Sequence, residues 1–342
     1  MKTRRDTNEQ PALELAEHAI RLARHAPRPA LAAYYLGTLP FVAGVVAFWA
    51  HMRGDPAAPL LAGPGALGLA VLFVWMKTWQ ARYCGILMAL LESRQPAPWG
   101  WRAFWRTATV QGPLHAAGVV VIPLALAAAL PFGWAYAAWQ NATVLDDGRY
   151  SSVRALFRDA LHEARAWPRQ NHLLIWLLSP YVLGFTVVLL LALLPFFDAA
   201  LPGMVGAVLG IYGVLLVLLS LAASPFCAVV ALNIYAAIVF GASMLRTFLD
   251  INTLFTVAPE AAQNTTFLML VIGLTYLAVD PLLKAAYVLR CFHSRSLRNG
   301  ADLRVRLRRA AAMLAVGLLG AAVFAGGMPA ARAAEAAPPE TP

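Results

Sequence analysis

The stretch at residues 265–309, TTFLMLVIGLTYLAVDPLLKAAYVLRCFHSRSLRNGADLRVRLRR, leaves a chain few ways to fold. Its first half is a continuous apolar run and its second half is dense in arginine. An apolar run of about 20 residues matches the roughly 30 Å of hydrocarbon that a helix crosses. In lipid, a helix satisfies every backbone N–H and C=O within its own segment. The arginines indicate which end faces the cytoplasm, because Lys and Arg accumulate on the inner side of spans. Between the two halves stand Asp280-Pro281 and, one turn later, Lys284.

Composition generalises the point. The chain is 60% hydrophobic and 13% charged, whereas soluble domains are about 45–50% apolar and about 25% charged. The apolar runs are continuous rather than alternating, which disfavours a β-barrel. The expected class is all-α, a polytopic membrane bundle of about nine transmembrane helices with interfacial amphipathic helices. The net charge of +10 sits beside apolar spans. It fits anionic headgroups on the cytoplasmic side better than nucleic acid, for which no basic polar domain exists. Cys84, Cys227 and Cys291 all fall in or beside apolar runs and read as small buried hydrophobes.

In chain order, residues 1–29 form a cytoplasmic amphipathic segment, 30–328 a transmembrane helical domain and 329–342 a disordered extracytoplasmic tail. The polar, basic start is not a signal peptide, so the first span is expected to act as an uncleaved insertion signal. In the helix at 13–25, Leu13, Ala16, Ala19, Ile20 and Ala23 share a face, and Glu17 and Arg21 pair opposite. This helix lies either on the inner membrane surface or free in the cytoplasm. Span one covers about 30–50, kinked at Pro40; a Gly/Pro-rich link at 51–64 leads to span two at about 65–91. Lys77 and Arg82 in its inner half are expected to snorkel to headgroups. An interfacial helix follows at 98–108, with Trp101 and Trp105 as aromatic anchors and Arg102 and Arg106 opposite.

The apolar stretch 110–145 is too long for one span and is read as a hairpin, span three to about 130 and span four at 131–145. A second amphipathic helix at 150–167 carries Arg154 and Arg158 as anchors and an apolar stripe of Val153, Leu156, Phe157, Ala160, Leu161 and Ala164. Ser151 or Ser152 is placed to cap it. Span five is about 172–196, span six about 205–224 and span seven about 225–245. A polar link at 246–263 precedes span eight, the opening stretch. Asn299-Gly300 ends its extension, Asp302 is placed to cap the next helix, and span nine is about 310–327. With the N-terminus inside and the C-terminus outside, 24 of the 27 Lys and Arg fall on the inner side. Only Arg53, Arg246 and Arg332 fall outside. The end of the chain reads like a misplaced signal peptide, with a cleavage site expected after Ala333.

Trp101-Arg-Ala-Phe-Trp-Arg106 matches Val153-Arg-Ala-Leu-Phe-Arg158, and Leu-Pro-Phe recurs at 39–41, 130–132 and 194–196. The repeats describe either a duplicated module, an interfacial helix followed by a Pro-broken span, or chance matches among common membrane residues. Over residues 99–309 this pattern resembles the membrane domains attached to some bacterial glycerophosphodiester phosphodiesterases and related polytopic proteins. The resemblance implies a helical membrane fold. The soluble catalytic domain of that family has no counterpart here, so no catalytic residue is carried over.

Candidate chemistry is confined to the spans. A charge in a span costs about 2.5–3.5 kcal/mol or more, so Asp280 and Lys284 are candidates for a coupling site. Their spacing, one helical turn, predicts rather a neutralised pair that packs span eight against its neighbours. Gln140, Asn141 and Asn233 lie in apolar helices near Pro breaks, where they would line a cavity or bond a neighbouring helix. His115 and His172 are expected at the interface, and His293 lies in the basic extension. No HExxH, GxSxG, P-loop or GxGxxG in a strand–helix context occurs. No enzyme, cofactor or metal is expected. Two functions remain open: a scaffold or subunit of an envelope-associated complex in the bacterial inner membrane, and a transporter or lipid-handling protein built on Pro-broken helices around Asn141, Asn233 and Asp280.

Overall fold

The computed structural model describes residues 11–54, 56–128, 133–148, 150, 152–178 and 225–326. Every regular element among them is helical. The chain divides into two units, Met1–Ser294 and Arg295–Pro342.

In the first unit, α1 (Ala12–Arg24) buries Ala12, Leu15, Ala16 and Ala19, the i, i+3, i+4, i+7 stripe of an amphipathic helix. Leu13, expected on that face, is 73% exposed. The stripe centres on Leu15 because α1 packs against α7 (Pro168–Leu178), and Leu13 is turned away. Glu17 and Arg21 pair at 3.2 Å as expected.

The next two helices form a long antiparallel hairpin, α2 (Arg28–Gly54) and α3 (Ala58–Leu91). Gly37 lies against Trp79, Gly44 against Leu72, and Gly65 against Phe48. These small residues let two apolar helices approach closely. The link expected at 51–64 is mostly helix. Proline is tolerated in a first turn, where its missing N–H has no partner to lose, and α3 begins with one there. Pro40 and Pro64 both lie inside helices that continue past them.

The interfacial helix and third span expected as separate elements are one helix, α4 (Trp101–Ala128). No Gly or Pro stands between Ala108 and Val110 to end the first before the second begins. The expected hairpin at 110–145 is present as α4 and α5 (Gly133–Leu145). Gln111 near the start of α4 donates to Ala142 O near the end of α5, and Trp139 Nε1 donates to Leu114 O, so the helices are antiparallel. At about 20 Å, α5 is shorter than a full span. Against α4 and α5 lies α6 (Val153–Ala164), burying Leu156, Ala160 and Ala164. Ser152 occupies its N-cap position without a side-chain capping bond.

The fifth span starts within α7. Its remainder, the sixth span, the link at 198–203, residues 1–10, and the tail with Ala333 lie outside the described residues. The stretch expected as the seventh span, 225–245, lies in α8 (Pro225–Leu249). The polar link after it contains α9 (Leu254–Val257) and a 3₁₀ turn (Pro259–Gln263). Phe255, Ala262, Phe267 and Val271 pack there with Tyr235 of α8. The expected eighth-span stretch at 265–309 begins as α10 (Thr265–Asn299), unbroken through Pro281.

In the second unit, Gly300 at φ +62° separates the end of α10 from α11 (Ala301–Gly326). This is the left-handed stop that glycine favours. Asn299 Oδ1, rather than Asp302, accepts from the first amide of α11, Ala301 N–H, at 3.1 Å. Among the described residues, four helices are long and apolar enough to cross a membrane: Arg28–Arg53, Ala58–Leu91, Pro225–Leu249 and Thr265–Asn299.

Candidate functional site

A band of buried polar groups joins α2, α3, α5 and α10. Helical spacing generates it: Tyr34 and Thr38 are one turn apart on α2, Lys77 and Gln80 on α3, and Tyr276, Asp280 and Lys284 on α10. Asp280 is 5% exposed, and its Oδ2 accepts from Tyr34 Oη at 3.0 Å and from Gln80 Nε2 at 3.0 Å. Gln80 then accepts from Lys77 Nζ at 3.1 Å. The Gln80 amide thus turns its NH₂ to the carboxylate and its oxygen to the ammonium, linking opposite charges through one neutral group. Tyr276 Oη accepts a further Gln80 N–H bond at 3.1 Å, and Tyr83 Oη donates to Pro281 O at 3.2 Å.

Lys77 is therefore not a snorkelling side chain. It is buried, with its ammonium 5.5 Å from the centre of the Phe73 ring. Arg82, expected to snorkel as well, donates to Ala97 O at 2.7 Å and lies over the Trp99 ring at 5.3 Å. A carbonyl acceptor and aromatic faces close to these cations remove the need to reach headgroups.

Asp280 and Lys284 do not behave as the neutralised pair their spacing predicts. Among the described residues no ion pair joins them. Lys284, fully buried, donates to Gln140 Oε1 on α5 at 2.5 Å. The two charges face different neighbours, α2 and α3 for Asp280 and α5 for Lys284, and each takes the polar group that its neighbour presents. The band formally holds two ammonium groups for one carboxylate. It offers hydrogen-bond donors around a carboxylate.

A second polar run lies between α4 and α5. His115 Nε2 is 3.0 Å from both Gln111 Oε1 and Thr143 Oγ1, and Gln111 Nε2 donates to Asp146 Oδ2 at 2.8 Å. His115 is buried rather than interfacial. Asp146, just beyond α5, also accepts from Gly148 N–H at 3.1 Å. Burial pushes its carboxyl up to about 6, against the lowering effect of those two hydrogen bonds. Asn141 holds α6 and α10 together: its Nδ2 donates to Ala160 O at 3.3 Å and its Oδ1 accepts from Cys291 Sγ at 3.2 Å. All three cysteines are buried.

Of the expected polar site, Asp280, Lys284, Gln140 and Asn141 are brought into one buried region. Asn233 is not. It is exposed on α8 and donates to Val229 O of its own helix at 2.7 Å. A helix-interior Asn satisfies itself this way when no neighbouring helix offers a partner. Among the expected anchors, Trp101, Arg102, Trp105, Arg106, Arg154 and Arg158 are all exposed. Phe104, between the two Trp, is buried against Trp75 and Trp79. Sequence reading missed Tyr34, Gln80, Gln111 and Asp146. Gln111 and His115, four residues apart in an apolar run, carried a usable signal.

No family model, curated protein or solved structure matches this chain.

Proposed function

We propose that this chain is a multi-pass helical protein of the bacterial cytoplasmic membrane, with about nine spans, N-terminus inside and C-terminus outside. Its role on this reading is non-enzymatic, as a scaffold or subunit of an envelope-associated complex. Anionic lipid headgroups contact its basic side, and a second membrane protein is its partner. The resemblance to the phosphodiesterase-associated membrane domains belongs to the same reading and contributes a fold, not a reaction.

One observation supports the scaffold over a carrier. Asp280 is closed in by Tyr34 and Gln80, and Lys284 by Gln140, all from other helices. A transporter at its midplane needs such groups to meet water and substrate. Asn233, which that alternative requires in the site, is bonded within its own helix.

The test is purification in mild detergent of the wild type and Asp280→Asn. The scaffold reading expects a stoichiometric membrane-protein partner in the wild-type preparation. The variant keeps that partner, because an amide still accepts from Tyr34. Loss of solute uptake by Asp280→Asn at undiminished expression would overturn the scaffold reading in favour of the transporter or lipid-handling alternative.

A further inference from the structure

A cleft of about 680 Å³ opens where the loop after α3 meets the start of α4 and the turn after α5. Three arginines line it: Arg94 from the loop, and Arg102 and Arg106 from successive turns of α4. Residues four apart on a helix stand one above the other, and like charges so placed repel. Among the described residues Asp147 is the one carboxylate in the lining, and Glu92, outside the lining, is paired with Arg94. The cations therefore outnumber the acids that face them.

The cleft is held in shape before any ligand arrives. Arg106 Nη1 donates to Gly148 O at 2.7 Å, which orients its guanidinium. Gly148 adopts φ +78°, a turn that side-chain-bearing residues resist. The opposite wall contains Pro96 and Pro98, and Arg82 fixes it through Ala97 O and the Trp99 ring. The wall ends at Gly100, where the 28-residue α4 begins and leaves its first amides without helical partners. Guanidinium groups and helix-start amides are the donors that match phosphate oxygens.

Tryptophans next in sequence to the lining arginines, outside the lining itself, point to the source of the phosphate. Trp101 and Trp105, 67% and 51% exposed, lie edge to face at 5.2 Å on the same two turns that carry Arg102 and Arg106. Exposed tryptophans beside arginines are the signature of the level where headgroups meet acyl chains. A cleft of several hundred cubic ångströms also holds more than an inorganic phosphate.

We propose that this cleft binds the phosphate of an anionic phospholipid headgroup, with Arg102 and Arg94 as the principal ligands, Arg106 as the oriented donor at its floor, and the Trp101–Trp105 pair against the lipid's glycerol and upper acyl region. The assignment rests on the membrane reading above.

Delipidated full-length protein is titrated with phosphatidylglycerol, phosphatidylcholine or inorganic phosphate, and binding is read by native mass spectrometry and by the shift in melting temperature. The wild type is expected to retain phosphatidylglycerol at least tenfold more tightly than phosphatidylcholine. Arg94→Gln/Arg102→Gln should lose most of that preference. Arg102→Gln alone, at an exposed position that leaves the fold intact, should lose part of it. Arg165→Gln/Arg169→Gln removes two exposed arginines outside the cleft and should keep the preference. Equal loss in that control pair would mean diffuse attraction and overturn the site, as would an unchanged preference in both cleft variants. Protection by inorganic phosphate equal to that by phosphatidylglycerol would overturn the lipid source. Alkaline carbonate extraction separates the two levels of failure. Release of the protein from membranes sinks the membrane reading together with the lipid site. Retention with unaltered lipid selectivity in the variants sinks the cleft alone.

Discussion

At the scale of single residues, Asp146 makes the sharpest claim. Burial pushes its carboxyl up to about 6, against about 4 for an exposed aspartate. The unfolded chain releases this proton at the lower value and the folded chain keeps it to the higher one. The folded state therefore binds more protons between them, and stability falls as pH rises through about 4 to 6, then levels off. Two units of difference correspond to about 3 kcal/mol at most. Melting curves from pH 4 to 7.5 should show a steeper loss for the wild type than for Asp146→Asn, which lacks the titration. A wild type that gains stability relative to the variant across this range would contradict the assignment. Neighbouring polar residues show what sequence can convey. Asp280, Lys284, Gln140 and Asn141 stood out because polar groups interrupt apolar runs. Their partners did not, since Tyr34 is 246 residues from Asp280 and Gln80 is 200. Lys77 was misplaced for a physical reason. A long cation near a helix end reads as snorkelling until an amide such as Gln80 is known to face it.

At the scale of elements, the α2–α3 hairpin depends on the absence of side chains at its crossing. A Cβ at Gly37 would stand 2.4 Å from Trp79 Cβ, near the rigid base of that side chain. Gly37→Ala should therefore destabilise by about 1–3 kcal/mol, the usual range for overpacking. At Gly68 of α3 an added Cβ meets nothing within 4 Å, and Gly68→Ala should stabilise by about 0.5–1 kcal/mol through helix propensity. Paired melting measurements in one detergent check both signs, and the same sign for both would refute the contrast. Helix existence was legible here from apolar runs, and helix ends were not. Proline in a first turn extended α3 into an expected loop, and the absence of a breaker fused α4. Leu13 was assigned to the buried face of α1 because an isolated helix cannot show that α7 selects Leu15 instead.

At the scale of the whole molecule, the described polar band is closed by groups from opposite ends of the sequence: Tyr34, Lys77 and Gln80 early, Asp280 and Lys284 late. A chain stopped at residue 264 would keep Lys77 and lose its carboxylate. Such a truncation should be degraded several-fold faster in a pulse-chase than the full chain. Lys77→Met should lengthen the life of the truncated form while destabilising the complete one. Equal half-lives for the truncated chain with and without Lys77 would remove the counter-charge argument. Synthesis is directional, at about 5–20 residues per second, so the 200 residues between Gln80 and Asp280 take on the order of 10–40 s to make. Throughout that interval the first hairpin carries a lysine whose anion has not yet been translated. The nascent protein must spend this time with the charge in contact with water, a headgroup or an insertion factor, and the arrival of α10 is the event that releases it.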